Sequence, residues 1–135
     1  MKYFLDANVL MHFANDERKS NRILKHINRV GAENIFISAV TLYEINTKLI
    51  KSKVSRANIE RLDAIAESFT VRNFNTPAAL SAAKVRAQLE STGDGIGHPD
   101  QMLAGQVKAE KAVLVTNNTK HFARVHGIKL EDWTD

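Results

Sequence analysis

Tyr3-Phe4-Leu5-Asp6-Ala7-Asn8 (residues 3–8) sets a short apolar run against an acid and a polar turn. Three apolar residues closed by turn-forming ones read as a buried strand. The pattern returns along the chain. Ile35-Phe36-Ile37 follows the turn-like stretch 31–34, Val71 to Phe74 is a weaker instance, Val113-Leu114-Val115 is the clearest, and Ile128 to Leu130 fits an edge strand. Between these runs the apolar period becomes helical. Ile23, Ile27 and Val30 share one face of a helix over about residues 18–30, and Leu42, Ile45 and Leu49 share another, with Ser38 placed to cap it. Ile59, Leu62, Ile65, Ala66 and Phe69 mark a third. Thr76-Pro77 opens an alanine-rich helix to about Glu90, with Thr76 as N-cap and Pro77 at the first helical position. The stretch from Thr92 to Gly97 holds three glycines and reads as a loop, and Pro99 starts a helix carrying Met102, Leu103 and Val107. Strands alternating with helices predict an α/β fold, a parallel sheet of four to five strands covered on both faces. In such sheets functional groups gather at the carboxyl ends of the strands.

A chain of 135 residues fits one domain, 1–135, and 44% hydrophobic with 25% charged residues is ordinary for a globular protein. There are no cysteines, which excludes a disulfide scaffold and thiolate metal sites. No signal-peptide pattern and no run approaching a membrane span is present, so the expected compartment is the cytoplasm. The net charge of +4 suits a polyanionic partner such as RNA, though basic residues serve solubility equally well.

Three acids stand where chemistry is expected. Asp6 directly follows a strand, where it either caps the next helix or faces a hard cation. Glu44 lies at the edge of an apolar helix face, where a lone glutamate is ordinarily solvated. Asp100 sits early in a helix, where the dipole favours negative charge without any function. Gathered together, three carboxylates repel one another, and a divalent cation removes that cost while supplying a means of attacking a phosphodiester.

Four ordered pieces then carry a resemblance: FLDANVLMHF at 4–13, ISAVTLYEI at 37–45, GIGHPDQMLAG at 95–105 and LVTNNTKHFARVHGIKLEDW at 114–133. Together they resemble the PIN-domain family, in particular the VapC toxins of bacterial toxin–antitoxin pairs, over nearly the whole chain. The resemblance implies a PIN-like three-layer sandwich and a metal-dependent endoribonuclease. Asp6, Glu44 and Asp100 would bind Mg²⁺ or Mn²⁺ and, with Asn118, form the catalytic set. It further implies neutralisation by a VapB-type antitoxin, a homodimer that joins the antitoxin in a hetero-oligomer, no membrane association, and a tRNA substrate, with initiator tRNA the candidate. Two departures stand out. Asn117 and Asn118 follow Val115 where many relatives carry a fourth acid, which implies one well-held metal, and His98-Pro99 precedes Asp100 in place of the usual proline and following residue. Asn8, Ser38, Thr116 and Asn117 are candidates for orienting the acids. Lys84, Arg86, Lys120 and Arg124, which flank the acidic loops, are candidates for RNA contacts. His98 and His121 read as surface residues beside the motifs, and no histidines are spaced as zinc ligands. Lys48, Lys51, Lys53 and Arg56 form a basic stretch with a solvated helix face as its simplest reading. The alternatives are a catalytically weak PIN domain that binds RNA or protein, and a phosphoryl-transfer module. Against the latter, Asn8 stands where a second aspartate is needed.

Overall fold

The computed structural model describes residues 1–135. In chain order the elements are β1 (Tyr3–Leu5), α1 (Ala7–Asn15), α2 (Glu17–Val30), a 3₁₀ turn (Ala32–Asn34), β2 (Ile35–Ser38), α3 (Ala39–Lys51), α4 (Arg56–Glu67), β3 (Thr70–Arg72), α5 (Thr76–Thr92), α6 (His98–Ala109), β4 (Val113–Val115), α7 (Thr119–Phe122) and β5 (Lys129–Glu131). All five strands are parallel, in the order β3-β2-β1-β4-β5. The expected α/β sheet is therefore present with its edge strand, and β1 lies at its centre.

Alternation along each strand builds two half-cores. Leu5, Ile35, Ile37 and Val115 point to one face, against Val9 and Leu10 of α1, Ile23 and Ile27 of α2, Ile45 of α3 and Leu62 of α4. Phe4 and Leu114 point to the other, against Val85 and Leu89 of α5 and Leu103, Ala104 and Val107 of α6. Trp133, fully buried, closes the first half-core over Tyr3 and stacks on His26. No helix is long and apolar enough to cross a membrane.

Several local expectations need correction. The segment after Asp6 is not a turn but the start of α1, because the Asp6 carboxylate accepts the Val9 N–H at 2.8 Å and caps the helix. The alanine-rich helix is capped by Asn75, whose side chain accepts the Ala78 N–H at 3.1 Å, so Thr76 is its first residue rather than its cap. Thr92 belongs to that helix, which ends on Gly93 in the left-handed conformation (φ 73°). The last predicted helix begins at His98, one residue before Pro99.

The tightest contact lies between α5 and α6. A β-carbon on Gly105 would lie 2.7 Å from the Ala82 β-carbon and closer still to the Ala82 backbone. Only glycine allows the two helices to approach this far. Two buried polar atoms have no hydrogen-bond partner: Arg72 Nε, which lies 3.2 Å from the Glu110 carboxylate as an ion pair, and the Thr41 hydroxyl in α3, which is fully buried. Thr41→Val should therefore raise stability by about 1 kcal/mol in urea unfolding, since it removes an unsatisfied polar group at nearly constant shape. An equal loss would mean that the hydroxyl is bonded.

Candidate active site

Because the strands are parallel, β1, β2 and β4 end on the same edge of the sheet, at Asp6, Ser38 and Thr116. The backbone fastens this edge: Asp6 N–H donates to Val115 O at 3.1 Å and Thr116 N–H to Glu131 O at 2.9 Å. Asp6 is 6% exposed. It does both things considered for it, capping α1 and lining a small cavity of about 100 Å³ with Ala7, Asn8, Glu44, Lys48 and Asp100. Of the larger cavities, those of about 300 and 420 Å³ beside His98 are predominantly apolar. The acidic one is smaller and is lined by three carboxylates.

Burial pushes the Asp6 pKa up to about 6, opposed by the nearby Thr116 hydroxyl and the Val9 N–H and reinforced by the charge of Asp100. Glu44 comes from the second turn of α3. It is partly buried, and burial followed by the Asp100 charge raises its pKa as well, against the influence of Lys48. Asp100 stands in the first turn of α6, where one carboxylate oxygen meets His121 Nε2 at 2.9 Å. Three acids from three elements thus share one cavity in which at least two hold their protons more tightly than usual.

Behind the acids, a buried link joins two of the helices that carry them. Ser38 caps α3 by accepting the Val40 N–H at 3.0 Å, and its hydroxyl donates to Gln106 Oε1 of α6 at 2.5 Å. Gln106, 1% exposed, in turn donates from its amide to Asn73 O at 3.1 Å. Asn8 is exposed and accepts from Lys48 Nζ at 3.2 Å.

The other candidates lie apart. Asn117 and Asn118 are exposed and do not line the acidic cavity. Asn117 contacts His12 at 3.4 Å, and Asn118 uses its backbone N–H on the Thr116 hydroxyl at 3.0 Å. Asn118 is thus not among the residues that line the acidic cavity. Lys84 and Lys120 are exposed, Arg86 pairs with Glu90 at 3.0 Å, and Arg124 donates to Gly95 O at 3.0 Å. None of the four lines the cavity. Gln106, the role of His121 and the position of Lys48 were missed from sequence. A glutamine inside the otherwise small and apolar run Leu103–Val107 was the one signal available for Gln106.

Hard oxygen donors with one neutral amide fit a Mg²⁺- or Mn²⁺-type cation, and a buried carboxylate beside two others fits a site that a cation completes. No three acidic or histidine side chains close tightly enough to enclose an ion by themselves. Water would fill the remaining positions, as such cations ordinarily allow.

The sequence pattern of the PIN domain matches residues 3–128. The tRNA(fMet)-specific endonuclease VapC of Shigella flexneri is 31% identical over 134 residues, covering 99% of each chain. Among solved structures, the DNA-bound VapBC from Salmonella typhimurium contains a chain 30% identical with a TM-score of 0.87, covering 98% of both chains. VapBC2 from Rickettsia felis, bound to a DNA fragment from its promoter, also gives 30% and 0.87, with 98% and 99% covered. With sequence and fold agreeing over almost the full length, the chain belongs to the PIN-domain family, in its VapC branch.

Proposed function

We propose that this single PIN domain, residues 1–135, is a Mg²⁺- or Mn²⁺-dependent endoribonuclease and the toxin of a type II toxin–antitoxin pair. The observation that carries the reading is the buried Asp6 carboxylate sharing one cavity with Glu44 and Asp100. Asp6, Glu44 and Asp100 would hold the cation, which when bound polarises the phosphodiester and lowers the pKa of water. The chain supplies the rest. The cap bond from Val9 fixes Asp6, the His121 contact fixes one oxygen of Asp100, and the Ser38–Gln106 link sets α3 and α6 in register. Glu44, whose affinity for protons is raised, is suited to accept the proton of the attacking water. The water oxygen bonds to phosphorus as the bond to the 3′ oxygen breaks, and the departing 3′ oxygen takes a proton from solvent, leaving a 5′-phosphate and a 3′-hydroxyl.

The relatives' names support a tRNA substrate, with initiator tRNA first among candidates, and the VapBC complexes support a VapB-type antitoxin partner. Exposed Tyr43 and Ile50 on α3 (63% and 85%) and Met102 beside an apolar cavity support a protein-covered face, for a second copy or the antitoxin.

Purified protein should cleave RNA when Mg²⁺ or Mn²⁺ is present and stop on chelation, and Asp100→Asn should be inactive while keeping its fold. Activity surviving in the purified variant would sink the assignment of Asp100, whereas RNA bound with no metal-dependent cleavage by the wild type would favour the binding-module reading. Mapping RNA ends after brief expression names the substrate. His121→Ala should weaken Mn²⁺ binding by about tenfold, as expected when the partner of a ligand carboxylate is removed. Titration followed by electron paramagnetic resonance measures it, and unchanged affinity would exclude that role.

A further inference from the structure

Lys48 is the one cation lining the acidic cavity. It follows Glu44 by four residues in α3, so both side chains stand on one face of the helix. Yet Lys48 makes no ion pair with any of the three carboxylates. Its ammonium is held by Asn8 Oδ1 at 3.2 Å, at the rim of the cavity where the side chain is exposed. A lysine present only to neutralise buried acids would be expected to bond to them. This one is held off by a neutral amide, and an ammonium has three donors.

The charges point the same way. Three ionised carboxylates carry three negative charges, of which one divalent cation balances two. The incoming phosphodiester and the charge that develops on it then need a positive group at the rim, and Lys48 is the group standing there. The neutral Asn117 and Asn118, outside the cavity, add no fourth carboxylate with which to hold a second ion.

We infer that Lys48 contacts the substrate: its ammonium binds a non-bridging oxygen of the phosphodiester to be cleaved, as a tethered substitute for a second metal ion. The inference rests on the nuclease reading above. It gives Lys48 an effect on metal and on RNA of opposite sign. Toward the cation it is a like charge and weakens binding; toward the phosphate it is a counter-charge and strengthens it.

The test uses the full chain, with Lys48→Met and Lys48→Arg, and three measurements. Mn²⁺ affinity is taken without RNA, RNA affinity is taken with Ca²⁺ over a range of salt, and cleavage is followed in single turnover with Mg²⁺. Lys48→Met should bind Mn²⁺ as tightly as wild type or several-fold tighter, and cleave at least about thirtyfold more slowly. The slope of its log affinity for RNA against log salt should fall by about 0.7, one phosphate contact on a single strand. Lys48→Arg should recover part of the rate. Undiminished cleavage by Lys48→Met in an active wild-type background overturns the inference and leaves the nuclease reading intact. Slower cleavage matched by equally weakened Mn²⁺ binding also overturns it, because Lys48 would then be ordering the acids through Asn8. A wild-type protein that does not cleave RNA with either metal overturns both.

Discussion

Asp6→Asn should yield a protein that is more stable than wild type at neutral pH and at least about a thousandfold slower in RNA cleavage, roughly 4 kcal/mol of lost transition-state stabilisation. Asparagine caps a helix about as well as aspartate, so α1 is retained. What disappears is a buried carboxylate whose pKa is pushed from 3.8 to about 6. Below pH 4 this group is protonated in both the folded and unfolded chains and costs nothing. Between pH 4 and 6 the folded chain binds more protons than the unfolded one, so stability falls as pH rises. Above pH 6 the loss is complete, at about 3 kcal/mol for a shift of this size. Asparagine does not titrate. Urea unfolding without divalent metal should therefore show the two proteins nearly equal at pH 4 and diverging to about 3 kcal/mol by pH 7. Added Mn²⁺ should stabilise wild type far more than the variant. A variant less stable than wild type at pH 7 without metal would contradict the account of Asp6 as a desolvated charge.

Gly105→Ala should cost at least about 3 kcal/mol, at or beyond the upper end of overpacking. The new methyl meets the Ala82 backbone, not the end of a flexible side chain, so one helix must move. Against a total stability of about 5–15 kcal/mol, that loss removes between about a fifth and more than half of the margin. Thermal and urea unfolding measure it. Combining Gly105→Ala with Ala82→Gly gives a sharper check. The second change removes only the facing methyl, so it should not restore stability, and a glycine within α5 should cost about 1 kcal/mol more. Full rescue would mean that side chains, not backbones, set the spacing of α5 and α6.

Much of the architecture was legible because burial leaves a period in the sequence. Phe4 against Leu5, and Leu114 against Val115, report a sheet covered on both faces, and the order of strands and helices then forces parallel pairing. The meeting of Asp6, Glu44 and Asp100 is compatible with that topology, since Asp6 ends β1, Glu44 stands early in the helix after β2, and Asp100 opens the helix that leads into β4. The start of α1 was obscured by Asp6 itself, although a helix capped by Asp6 was one of its two readings. An acid and Asn8 beside a strand read as a turn, although Ala7, Leu10, Met11 and Ala14 carry helical spacing. Lys48 to Asn8, Ser38 to Gln106 and His121 to Asp100 bridge 40, 68 and 21 residues. Nothing local specifies such pairs; they exist only once the sheet has been assembled.

The two half-cores have a mechanical consequence. Glu44 rides on the layer packed around Ile45, Asp100 rides on the layer packed around Leu103, and Asp6 ends the strand between them. A cation gripped by all three would act as a clasp across the sheet, since peeling away either layer would release it. Each layer would then open only together with the other. Native-state hydrogen exchange should register this as a common slowing of amides in α3 and α6 when Mn²⁺ is added, where the metal-free protein lets the two layers breathe separately.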